Sequence, residues 1–143
     1  MSSITNAKVG DQVTLLGVDG GLVAVDRYRS PALNWAICEV KLRGQEDHRW
    51  LVTVKGKLYE VDLSTPTGAD AATGLTESGY VLRREGEAQR ELQTASGHEF
   101  SRCSFAFYTA DDATICIVIA NGSGERIARC TPLDSALVEF FPA

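Results

Sequence analysis

The sequence predicts an all-β fold: an antiparallel β-sandwich or partly open β-barrel of about ten or eleven strands, built from consecutive hairpins. Two observations predict it. Apolar residues come in short runs that alternate with polar ones, rather than in long stretches of helical period. Turn dipeptides then punctuate the chain densely: Asp19-Gly20, Lys55-Gly56, Glu85-Gly86, Ser96-Gly97 and Asn121-Gly122 each offer a glycine able to take φ > 0. Asp111-Asp112 marks another turn. Strands do not alternate with helical segments, so a parallel sheet of βαβ units is not expected.

Between these turns the first half places strands at Gln12 to Val18, Leu22 to Arg29, Asn34 to Arg43, His48 to Lys55 and Lys57 to Leu63. A loop of Ser, Thr, Pro, Gly and Ala follows from Ser64 to Thr73, which is either a boundary between subdomains or one long excursion from a sheet. The second half places strands at Glu77 to Arg84, Ala88 to Thr94, Glu99 to Tyr108, Ala113 to Ala120, Glu125 to Cys130 and Ala136 to Phe141. The stretch from Glu87 to Thr94 also has fair helix propensity.

Alternation assigns faces. In the third strand Ala36, Cys38, Val40 and Leu42 point to the core, and most of the opposite side, Ile37, Glu39, Lys41 and Arg43, faces water. Trp50, Val52 and Val54 share a face. From Ala113 to Ala120 both faces are apolar, as in a central strand of a sandwich or a barrel wall covered by a second chain.

At 143 residues the chain suits one domain, 1–143, able to fold without metal or disulfide. The 44% hydrophobic and 23% charged composition excludes disorder. The opening residues lack the pattern of a signal peptide, and no apolar run reaches about 18 residues, so a cytoplasmic location without membrane insertion is expected. The net charge of −5 is uneven: Met1 to Leu63 balances eight basic against eight acidic residues, and the remainder has six against eleven. Neither half is basic, which argues against nucleic-acid binding.

Motifs of catalysis are missing. Cys38, Cys103, Cys116 and Cys130 form no C-x-x-C pair, and only His48 and His98 are available to join them, so no metal is expected. A hairpin closing about Ser123 sets Cys116 opposite Cys130, a geometry that permits a bridge, although a cytoplasmic protein keeps both reduced. His48 and His98 stand beside carboxylates, but no nucleophile motif accompanies them. Neither a P-loop nor a G-x-G-x-x-G is present, and no cofactor is expected. Whether the chain is an enzyme is left open by these residues, with the balance against it.

The candidate binding residues are aromatic. Tyr28, Trp35, Trp50 and Tyr59 fall on adjacent strands, interleaved with Arg27 and Arg49 and with Arg29 and Arg43, as on β-surfaces that stack bases, peptides or cations. The competing reading makes the tryptophans core and the arginines a solvated rim. Acids of the second half, Glu85, Glu87, Glu91, Asp111 and Asp112, offer attraction to a cation.

Several short motifs resemble a known family: Val9-Gly10-Asp11 before a strand, Trp35 in a strand ending at Leu42, and Trp50-Leu51 before the Gly56 turn. Tyr80-Val81-Leu82, Gly86-Glu87-Ala88 and Val138-Glu139-Phe140-Phe141-Pro142 extend the likeness to the second half. The chain resembles the bacterial family catalogued as domain of unknown function 4178. The resemblance implies a β-rich cytoplasmic module without established activity, from a family often encoded near membrane-stress and polyamine-related genes.

The expected function is therefore a noncatalytic binding or adapter module, meeting a protein partner or a copy of itself through its apolar strands or its Trp35 and Trp50 face. The alternative is a barrel holding a small apolar or cationic ligand inside, which a filled interior would exclude. An unrecognised enzyme is the third reading.

Overall fold

Leu16 and Gly17 are the first chain reversal, and both have positive φ, 53° and 82°, as a tight two-residue hairpin requires. They join β1 (Gln12–Leu15) to β2 (Val18–Arg29). The computed structural model describes residues 7–64, 71–122 and 124–141. Along these run β3 (Trp35–Leu42), β4 (Arg49–Val54), β5 (Lys57–Ser64), α1 (Ala71–Glu77), β6 (Val81–Thr94), β7 (Gly97–Thr109), β8 (Ile115–Asn121), β9 (Gly124–Pro132) and β10 (Val138–Phe141). Most of the predicted loop from Ser64 to Thr73 lies outside the described residues, as do Ser123 and Pro142.

Every pairing is antiparallel, and the order β2-β3-β4-β5-β9-β8-β7-β6 closes because β6 pairs back onto β2. The result is an eight-stranded barrel, with β1 and β10 continuing outward from β2. One edge of β2 carries β3. The other is divided: β1 takes Val18 to Gly21, and β6 takes Ala24 to Arg29. A bulge between Leu22 and Ala24 separates the two parts, the local kink that lets one strand serve two sheets.

Two expected turns are not turns. Asp19-Gly20 lies within β2, where Gly20 is needed for a close crossing: a Cβ there would stand 2.4 Å from the Lys41 carbonyl oxygen. Glu85-Gly86 lies within β6, which runs unbroken from Val81 to Thr94, and Gly86 pairs with Phe105, whose ring a Cβ would meet at 3.7 Å. Gly20 makes room for a neighbour instead of bending the chain, whereas a Cβ at Gly86 would make only ordinary contact. The predicted Glu77 to Arg84 and Ala88 to Thr94 strands are therefore one, and the helix propensity around Glu87 is overridden by pairing on β7 and β2. Lys55-Gly56 is a turn as expected, with φ of 52° and 75°.

Three apolar clusters hold the fold. The barrel interior is filled by buried side chains from all eight wall strands, among them Tyr28, Trp35, Val52, Tyr59, Ala88, Phe105, Ile117 and Cys130. A second core lies outside the wall, where Leu22, Val25, Cys38, Val40, Leu42 and Leu51 are covered by Val13 and Leu15 of β1 and Val138 and Phe140 of β10. The third strand is buried on both faces in its first half, where Trp35 and, contrary to expectation, Ile37 enter the barrel; Cys38, Val40 and Leu42 enter the second core, and on the expected wet side Glu39 and Lys41 are half-buried and Arg43 is exposed.

The third cluster explains β8. Ile115, Ile117 and Ile119 face inward, and Cys116 and Val118 face outward under Leu75 of α1, so the covering element belongs to this chain. A helix of seven residues is too short to persist alone. Burying Leu75, together worth about 1.5–3 kcal/mol, and a glycine cap hold it. Gly79 has φ of 93°, its N–H donates to Thr76 O at 3.1 Å, and Tyr80 N donates to Leu75 O at 3.0 Å. No helix among the described residues is long and apolar enough to cross a membrane.

Gly20→Ala tests the crossing of β2 over β3: the clash lies with backbone, so urea unfolding is expected to show a loss of about 1–3 kcal/mol. A Gly→Ala change at exposed, open Gly122 is the control and is expected to change stability little.

Candidate functional site

Strand alternation separates the residues that the sequence brought together. Tyr28, Trp35 and Tyr59 point into the barrel and are buried, and Trp50 is half-buried on the same inner face. Tyr28 stacks on Trp35 with centroids 4.6 Å apart and planes within 5°, and Trp35 meets the edge of Phe105 at 4.9 Å. Arg27 and Arg49 lie on the outer face, where Arg27 donates to the Ala7 carbonyl and Arg49 pairs with Glu60. Aromatics and arginines that adjoin in sequence occupy opposite sides of one wall, so they do not form a shared stacking surface.

A charged cluster lies at the seam between β2 and β6. Arg90 of β6 grips Asp26 of β2 with two bonds, Nε to Oδ1 at 2.7 Å and Nη2 to Oδ2 at 3.0 Å. The Tyr28 hydroxyl donates to Asp26 Oδ2 at 2.6 Å, and Arg126 reaches the Tyr28 oxygen at 3.3 Å. Burial, reinforced by the Asp26 charge, pushes the Tyr28 phenol well above its usual range, and the bond to Asp26 raises the Arg90 guanidinium. This cluster straddles the seam that closes the barrel and is fully engaged with itself.

The four cysteines are unbridged and buried. Burial pushes the Cys38 thiol up to about 12 and raises the other three, which withholds the thiolate that nucleophilic or redox chemistry needs. Cys116 pairs with Arg129, and Cys130 pairs with Ile115. Asn121 pairs with Gly124, so the register differs by one residue from a hairpin closing about Ser123, and that slip sends the two sulfurs to opposite faces of the wall. His48 pairs with Glu39, and His98 pairs with Glu91 at 2.9 Å on an exposed hairpin. Among the described residues no group of three or more His, Cys, Asp or Glu is placed to hold a metal ion.

The acids of the second half are divided among separate places. Glu85 and Glu87 line a shallow outer cleft with Glu125, Glu91 is taken by His98, and Asp112 accepts from Thr114 N and Oγ1 at 3.1 and 2.5 Å.

Open space is found at one end of the barrel. The β2–β3 loop, the β4–β5 turn and the β7–β8 turn gather there, and two clefts of about 470 and 540 Å³ flank Lys55-Gly56. Tyr28, Leu33 and Trp35 line the first, with Arg29, Ser30, Asn34 and Thr53. Val54, Leu58, Phe107, Ile115 and Leu133 line the second, with Lys57, Thr109 and Thr114. The loop wall of the first cleft is held rigidly: Ser30 Oγ donates to Leu33 O at 2.6 Å and accepts from Leu33 N at 2.8 Å, and Ser30 N donates to Asn34 Oδ1 at 3.1 Å. Lys55 Nζ lies 5.5 Å over the Phe107 ring. Sequence reasoning marked Lys55-Gly56 as a turn and placed Phe107 and Ile115 in strands, but it did not gather them, because only barrel closure brings these turns to one end.

Compared with family models, curated proteins and solved structures, the chain matches none. The likeness to a family rests on its sequence motifs alone.

Removing Arg90 leaves the buried Asp26 with only the Tyr28 hydroxyl and the more distant Arg126, at 3.7 Å. Arg90→Met is expected to cost about 3–5 kcal/mol in urea unfolding, and Asp26→Leu combined with Arg90→Met is expected to recover most of it.

Proposed function

We propose that the chain is a noncatalytic binding module that holds a small, largely apolar molecule at the open end of its barrel. The observation that carries this reading is the pair of clefts about Lys55-Gly56. Each has the volume of a small-molecule site, and the larger has a floor of Val54, Phe107 and Ile115 with a few polar groups at its rim. The interior itself is occupied by the protein's own side chains, so a ligand enclosed within the barrel is set aside in favour of one at its mouth. Catalysis has no comparable support: the thiols are buried and raised, and each histidine is paired with a carboxylate away from these clefts.

A neutral apolar fluorophore, N-phenyl-1-naphthylamine, tests the reading. One probe per folded chain is expected to bind with a saturable gain in emission, and Pro132→Trp, at an exposed position on the rim of the larger cleft, is expected to abolish it. Absence of saturable uptake would overturn the mouth as the site. It would leave docking to a protein partner, for which Phe100, 75% exposed on β7, is the most prominent apolar contact.

A further inference from the structure

The charge around the mouth runs against the charge of the molecule. The chain carries a net −5, yet among the described residues no carboxylate lines either cleft, whereas Arg29, Lys55 and Lys57 do. Of the cations elsewhere, Arg49 is paired with Glu60, Arg90 and Arg126 share Asp26, the latter at 3.7 Å, and Arg27, Lys41 and Arg83 donate to neutral oxygens. Arg29, Lys55 and Lys57 have no carboxylate within ion-pair distance among the described residues. The carboxylates next to the mouth in sequence are Asp111, Asp112 and Asp134, all exposed. Asp112 is bonded to Thr114, and Asp134 accepts from Ala136 N at 3.0 Å.

Both clefts share Lys55 and Gly56, and Lys55 supplies the charge. Its positive φ places it at the tip of a tight turn, and its ammonium stands over an aromatic ring that floors the larger cleft. Cation and apolar surface therefore meet at one residue, the arrangement that suits a ligand with one anionic end and an apolar remainder. A lysine is a point charge and recognises an oxyanion without requiring a planar, two-pronged geometry.

Resting on the mouth as the binding site, we propose that the ligand is an amphipathic anion, with an oxyanion at Lys55 between Arg29 and Lys57 and an apolar part on Val54, Phe107 and Ile115. This is the opposite sign from the cationic ligand that the acidic second half suggested.

Three probes of equal chain length separate the charge from the site: octanoate, octanol and octylamine, titrated while the Val54, Phe107, Ile115 and Leu133 side-chain resonances are followed. Octanoate is expected to bind on the order of tenfold more tightly than octylamine at low salt, with the gap narrowing as salt screens the lysines. Lys55→Glu with Lys57→Glu is expected to reverse the order of octanoate and octylamine, and unchanged dispersion of the core side-chain resonances shows that the variant is folded. If octylamine and octanoate bind equally through the same resonances, the anionic ligand is overturned while the mouth stands as the site. If none of the three moves those resonances, both readings fail together.

Discussion

Closure of β6 onto β2 is the constraint on which the rest of the structure depends. It joins residues far apart in the chain, Asp26 and Arg90 being 64 positions apart, so its contacts must offset the entropy of closing a long loop. Six backbone pairs from Ala24–Thr94 to Arg29–Gln89 supply part of that, and the bidentate ion pair with the Tyr28 hydroxyl supplies specificity of register. Without this seam β2 and β6 would be open edges, and the two four-stranded meanders, β2 to β5 and β6 to β9, would meet only at β5 and β9. With it, the turns at one end form a ring.

β2 is the strand that makes closure compatible with a second core. Its bulge after Leu22 turns one part toward β1 and the other toward β6, and the β1–β10 pair then covers the outer face of β2, β3 and β4. Helix α1 does the same for the opposite wall through Leu75. Barrel walls usually have one wet side, and these two coverings explain why the apolar content of β3 and β8 exceeds what a half-buried strand needs.

The strands themselves were legible because period-two alternation is local, whereas glycine signals were ambiguous because glycine answers two demands. At Gly56 it permits a positive φ, but at Gly20 it removes a side chain where a carbonyl comes close. Sequence shows the glycine and not the neighbour. The Cys116 and Cys130 pairing failed for a related reason: the hairpin was recognised, but a shift of one residue in its turn inverts every face. The candidate binding residues are divided by the same alternation that revealed the strands, since Arg27 beside Tyr28 and Arg49 beside Trp50 must diverge across the wall. The mouth was invisible in sequence because Arg29, Lys55 and Ile115 belong to three different strand ends that meet only when the barrel closes.

Hydrogen exchange of the β2 and β6 amides measures that closure directly. The account predicts that the inward-bonded amides from Ala24 to Arg29 and from Gln89 to Thr94 exchange only through global unfolding, with the same protection as those pairing β3 with β4. Rapid exchange along this seam, with protection retained in β3, β4 and β5, would show an open sheet and would remove the ring of turns on which the binding site depends.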